Sequence, residues 1–279
     1  MNRSMITAVN TMGQLQKQLD IISHNMSNSQ TDGFKRREVT FSDMVAQQFN
    51  NQPIRRLEIG RQTPHGIRQG VGAKIDSSKI VLTQGTVKAT DRQLDFAFAK
   101  ENQFLKVLVR ENGQSDIRFT RQGATYLSPV GPNEMMLVTA EGHPVLDENE
   151  NVITVNGEPT GFAFTASGQF QASYPNGRTR TANLGIISVQ KPQFMEQKGG
   201  ALIGLPEGLN PNVNQEDIYT ELRGADRADI SIQGGALEAS NVDMSQEMTE
   251  LINVQRAYQF HSRTVTLADQ MMGLVNGIR

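Results

Sequence analysis

Residues 242–275 read VDMSQEMTELINVQRAYQFHSRTVTLADQMMGLV. Within this run Leu251, Val254, Tyr258, His261, Val265, Ala268, Met272 and Val275 recur at alternating steps of three and four. That spacing is the period of a heptad seam on an α-helix. Ser240-Asn241-Val242-Asp243 precedes it and offers a cap followed by an acidic first turn, suited to the positive end of a helix dipole. No proline occurs from 212 to 279, and no glycine between Gly235 and Gly273. A helix from about 242 to 275 would be on the order of 50 Å long. Its apolar stripe is two positions per heptad wide, narrower than the face of an ordinary surface helix. A helix with so little apolar surface needs a partner to be stable.

The opposite end of the chain repeats the pattern. Met5, Ala8, Met12, Leu15, Leu19, Ile22 and Met26 also alternate at three and four, so residues 1–30 read as a second heptad helix. Asn25, Asn28 and Ser29 weaken it, and Asp32-Gly33 stops it. Between the helices the period changes to two. Short apolar runs at Ile80–Leu82, Phe96–Phe98, Phe104–Val109, Met135–Val138, Val152–Val155 and Leu184–Val189 are separated by Asn112-Gly113, Asn156-Gly157 and Asn176-Gly177, each a hairpin signal. The predicted fold is α+β: long N- and C-terminal helices pairing as a coiled coil and flanking a mainly antiparallel β domain. The predicted organisation is a terminal helical domain from 1–35 and 236–279, an extended connector at 36–75 and a β-rich outer domain at 76–235. Two seams at the extreme ends suit a filament subunit, whose stacked helices form an axial core, better than an enzyme.

Composition narrows the classes. The chain has 279 residues, 37% hydrophobic and 20% charged. Counting the 25 glycines brings the apolar share to about 46%, within the globular range. Lys plus Arg is 27 against 29 for Asp plus Glu, so no overall field favours nucleic acid or an anionic membrane. Zero cysteine removes disulfides, thiolate nucleophiles and Cys-ligated zinc. No stretch is long and apolar enough to cross a bilayer as a helix. The N-terminus lacks the solid apolar block of a secretory signal, since Thr7, Asn10, Thr11 and Gln14 interrupt it.

Chemical motifs are weak. Asp147-Glu148-Asn149-Glu150-Asn151 imitates a calcium loop, but Val152 stands where the sharp turn needs glycine, so a polar hairpin tip is expected. Gln69-Gly70-Val71-Gly72-Ala73-Lys74 lacks the spacing of a phosphate cradle. His24, His65, His143 and His261 are dispersed and lack a clustered carboxylate. Arg55, Arg56, Arg61, Arg68 and Lys74 make the connector basic, but no aromatic ring interleaves with them for base stacking. No catalytic, cofactor-binding or metal-ligating residues are predicted, and no enzyme activity. Methionines concentrate in the helices, where the unbranched thioether fills gaps and adapts to non-identical neighbours.

Taken together, Arg3-Ser4-Met5 through Leu19-Asp20, His24-Asn25-Met26-Ser27-Asn28 and Thr31-Asp32-Gly33-Phe34-Lys35-Arg36 resemble the signature of the bacterial flagellar basal-body rod and hook proteins. The run GALEASNVDMSQEMTELINVQRAYQFHSRTVTLADQMM resembles the matching C-terminal block more closely still. Gln84-Gly85, Leu94-Asp95, Phe119-Thr120-Arg121-Gln122-Gly123 and Leu137-Val138-Thr139 are similar to its β-domain motifs. In length the chain is similar to the distal-rod members and to hook-basal-body proteins. The resemblance implies a structural subunit, exported unfolded through the type III apparatus without a cleaved signal and residing in the basal body. It implies assembly with copies of itself and with neighbouring rod and hook proteins, without nucleic acid, membrane insertion or cofactor. The expected assembly interface is the two seams: Met5, Met12, Leu15, Leu19, Ile22 and Met26, with Leu251, Val254, Tyr258, Val265 and Met272. Gly33-Phe34-Lys35 is expected to form the turn into the connector. The alternative from the residues alone is an extracellular β-rich binding module with helical stalks, contacting cell wall or a rod partner.

Overall fold

A computed structural model describes residues 2–43, 47–49, 67–69, 72–111, 113–206, 208 and 214–277. It contains two long helices, α1 (Asn2–Ser27) and α2 (Met244–Gly277), with short strands between them. The architecture is α+β, as expected. Helix α1 ends in tight turns, where Asn28 N–H donates to Asn25 O and Ser29 N–H to Met26 O at 3.2 Å. Asp243 stands immediately before α2, at the end where a carboxylate complements the dipole.

The chain divides into two compact units. One comprises Met1–His24, Val39–Ser78 and Ser245–Arg279, and so holds most of both helices. In it, Thr40 Oγ1 on the strand Arg37–Asp43 lies 2.9 Å from Ser77 Oγ on Ala73–Ile80. Gln47–Phe49 pairs with Ile67–Gln69. Of the basic connector residues, Arg55, Arg56 and Arg61 lie outside the described residues, as does the side chain of Arg68.

The other unit comprises Asn25–Glu38 and Lys79–Met244. A six-stranded antiparallel sheet runs in the order Glu196–Gln197, Leu202–Gly204, Gln114–Thr120, Gln103–Glu111, Ile186–Val189, Tyr219–Glu221. Its strand Gln103–Glu111 is buried on both faces: Leu105, Val107 and Val109 enter one apolar cluster, and Phe104 enters a second. Such a strand carries a continuous apolar run in place of alternation. Two three-stranded sheets adjoin the first cluster, Thr154–Asn156 with Glu134–Thr139 and Thr125–Gly131, and Gly161–Phe164 with Gln169–Ser173 and Thr179–Asn183. Phe164, on the second of these sheets, packs its ring 5.4 Å from Phe170 on the same sheet and 4.8 Å from Phe96 on the strand Phe96–Phe98.

The hairpin expectations divide. Glu111 pairs with Gln114, closing the first hairpin, although Asn112 of its signal lies outside the described residues, and Ser173 pairs with Thr179 across a loop containing Asn176-Gly177. Asn156-Gly157 closes no hairpin. Thr154–Asn156 pairs with Glu134–Thr139 and the following strand joins another sheet, while Gly157 N–H donates to Asn133 O at 2.8 Å. The glycine supplies φ +82° for a crossing between sheets, a use that the dipeptide alone cannot distinguish from a type I′ turn. The 147–151 tip is a polar turn, in which Asp147 Oδ1 accepts the N–H groups of Asn149 and Asn151.

Candidate assembly interface

The helices of the first unit bury one side. On α1, Ala8, Leu15 and Ile22 are buried and Met5, Met12 and Leu19 half-buried. On α2, Val254 and Ala268 are buried and Leu251, Tyr258, His261, Val265 and Met272 half-buried, whereas Val275 is exposed. Gln18 Nε2 donates to Glu250 Oε1 at 2.9 Å, a direct link from α1 to α2. Met26, also half-buried, belongs to the second unit.

A second set of apolar side chains on α2 is absent from the seam pattern. Phe260, Leu267, Met271 and Leu274 follow one another at steps of seven, four and three, and lie roughly opposite the seam on a 3.6-residue helix. Phe260 is 70% exposed and Leu274 69%. Ten of the fourteen exposed large apolar side chains described are on α1 and α2, so the exposed apolar side chains concentrate on the helices. The steps of seven, four and three were the available signal, hidden because the buried seam shares them.

In the second unit, Gly33-Phe34-Lys35 is buried. Gly33 holds φ +71°, and a Cβ there would lie 2.5 Å from Arg121 C and Gln122 N, so only glycine fits. Its N–H donates to Glu238 O at 2.7 Å. Lys35 Nζ donates to Glu238 Oε1 at 2.6 Å and to Thr83 O at 2.7 Å. Glu238, 1% exposed, also accepts from Gly85 N–H at 3.0 Å and from Arg121 Nε. Arg121 donates further to Glu101 O at 2.8 Å and Gln103 O at 2.9 Å. Burial lowers the Lys35 pKa to about 8; the Arg121 charge adds to the shift and Glu238 opposes it. Asn241 ties the same region together: its Oδ1 accepts Arg36 N–H at 2.7 Å, and its Nδ2 donates to Val81 O at 2.9 Å. No sequence motif singled out Glu238 and Arg121 as partners of Lys35.

Buried Lys106 pairs with Glu221 and with Glu150 at 3.4 Å, beside an open cleft of about 320 Å³. Among the described residues no group of three or more His, Asp or Glu side chains is placed to hold a metal ion. No described helix is long and apolar enough to cross a membrane.

Comparison with known proteins places these features. Residues 5–35 match the family model "Flagella basal body rod protein", and residues 233–278 match "Flagellar basal body rod FlgEFG protein C-terminal". Over its whole length the chain is 42% identical to the flagellar hook-basal body complex protein FlhP of Bacillus subtilis, all of which is covered. The chain belongs to the flagellar basal-body rod and hook protein family. Other members of the family are the rod proteins FlgG of Bacillus subtilis, 28% identical with 98% of this chain and 97% of that protein covered, and of Caulobacter vibrioides, 28% identical with 99% of each covered. Members of this rod and hook family are structural proteins of the basal body, not enzymes. The two matched regions contain the seam residues of α1 and α2, together with Lys35 and Glu238; Arg121 lies outside both.

Proposed function

We propose that this chain is a structural subunit of the bacterial flagellar rod–hook axis that polymerises through α1 and α2. The helices pair as a coiled coil along the seams Met5–Met26 and Leu251–Met272, and the outer face of α2 meets neighbouring subunits. One observation carries this assignment: the β unit buries most of its large apolar side chains in two cores, while α2 leaves Phe260, Leu267, Met271 and Leu274 open to solvent. Exposed apolar surface concentrated on one helix face marks an interaction site. The neighbours are copies of the chain and other rod and hook proteins, in keeping with the names of its relatives. Export through the type III apparatus suits terminal helices that need partners to be stable. The domain roles follow: residues 1–35 and 236–279 assemble, 36–75 connect, and 76–235 form the outer domain.

Replacing Phe260 and Leu274 together by glutamine tests the assignment. Purified variant should unfold like the wild type, because both side chains already contact water, yet be missing from isolated basal bodies. Normal incorporation and motility would overturn it.

A further inference from the structure

The chain contains no cysteine, so its sulfur is all thioether, on 12 methionines. Their surroundings differ. Among the described methionines Met244, Met248 and Met271 are exposed, at 38%, 51% and 47%, and all three belong to α2. The other described methionines are half-buried, or buried as Met195 is at 4%.

Met271 differs from the other two in its neighbours. Leu267 stands one turn before it and Leu274 one turn after, exposed at 57% and 69%, so its sulfur sits inside the open apolar face of α2. Met248, near the start of the helix, lies roughly 140° around the axis from it. In the free subunit water solvates this face. Covered by a neighbour, a thioether stays apolar and adapts its shape. A sulfoxide in its place carries a strong acceptor that loses its water among leucines, and an unpaired buried polar group is costly.

We propose that Met271 is an oxidation site through which hydroperoxides block incorporation of the subunit; this rests on the reading of the outer face of α2 as a contact between subunits. The thioether attacks the outer oxygen of the hydroperoxide. The O–O bond breaks and an S–O bond forms, while the proton on that oxygen passes to the departing alkoxide, which leaves as an alcohol (as water, for hydrogen peroxide). Sulfur loses two electrons and the peroxide gains them. Residue 271 already contacts water, so the free subunit keeps its fold and the loss appears only where the face is covered. Covering also shields the sulfur, so the sensitive state is the subunit before assembly.

The full-length chain tests this in two ways. Peptide mass spectrometry of purified protein in hydrogen peroxide should show sulfoxide forming at Met271 about tenfold or more faster than at Met195. In cells regrowing flagella, Met271→Gln, an uncharged polar stand-in for the sulfoxide, should lower the amount of this protein in isolated basal bodies by about tenfold or more. Purified Met271→Gln should unfold like the wild type. Met271→Leu should be incorporated normally, and should stay so at a hydrogen peroxide dose that depresses the wild type. Equal oxidation rates at Met271 and Met195 would overturn the proposal. So would normal incorporation of Met271→Gln, or equal peroxide sensitivity of Met271→Leu and the wild type. Should Met271→Gln fail to fold, the Met271→Leu comparison decides. The assembly reading has its own control, since Phe260 and Leu274 carry no sulfur. If the double glutamine variant at 260 and 274 is excluded while Met271→Gln is incorporated, the oxidation site fails and the assembly reading stands; if both are incorporated, the two fail together.

Discussion

At Gly33 two costs fall on one residue: a left-handed backbone, and no room for a methyl group against the Arg121 and Gln122 backbone. Gly113 has a similar φ, +79°, but open space around it. Gly113→Ala should therefore cost only the conformational term, about 1 kcal/mol, and Gly33→Ala about 3 kcal/mol, read by urea unfolding. Equal losses would mean that the close approach to Arg121 does not matter. Lys35 makes a different prediction. Its folded pKa of about 8 lies below its ordinary 10.5. Between those values the unfolded chain holds a proton that the folded chain has released, so this group's contribution to stability rises with pH there and is lost as pH falls through 8. Compared with Lys35→Met, the wild type should gain stability as pH is raised from about 7 to 10. A constant difference would place the ammonium in water. The turn at Asp32-Gly33, just ahead of Phe34 and Lys35, was legible from the dipeptide. Their partner Glu238 was not, because Lys35 and Glu238 stand 203 positions apart and a single sequence carries no sign of that pairing.

At the scale of elements, the two faces of α2 predict opposite outcomes. Val254 is buried, so Val254→Ala should destabilise the helical unit by about 2 kcal/mol, the transfer value of two methyl-sized groups, seen as earlier melting of the helical signal. Phe260→Gln, on the exposed face, should alter melting by no more than about 0.5 kcal/mol while impairing assembly. Of the helices, α2 was easy to read because a 3.6-residue period that runs without proline, and without glycine before Gly273, has few alternatives. The strands were harder. Gln103–Glu111 alternates weakly because both its faces are covered, and Asn156-Gly157 turns the chain between sheets, where a hairpin was expected. Local residue types specify a left-handed turn; they do not specify which strand comes next to which.

For the molecule as a whole, the first unit joins the start of the chain to its end, since it holds most of α1 and of α2. A chain ending at Met244 should therefore lose helical signal for the 34 residues of α2 and for most of the 26 of α1, because an isolated amphipathic helix is marginal in water. It should retain the sheet signal and cooperative unfolding of the β unit, whose two cores lie within 79–244. Circular dichroism of the truncated chain checks both, and a loss confined to the α2 share would show that α1 stands without α2.

The sequence by itself determined the α+β class and the two helices, because each follows from local period and from breakers placed at the right positions. It also pointed to the rod and hook family through the terminal blocks. Only the tertiary structure decided that Gln103–Glu111 lies between two cores, that α2 keeps an open apolar face, and that one carboxylate near the C-terminus pairs with two cations elsewhere. The physical reason is range. Helical periodicity is set by hydrogen bonds four residues apart, whereas burial and charge pairing depend on which distant segments exclude water from each other.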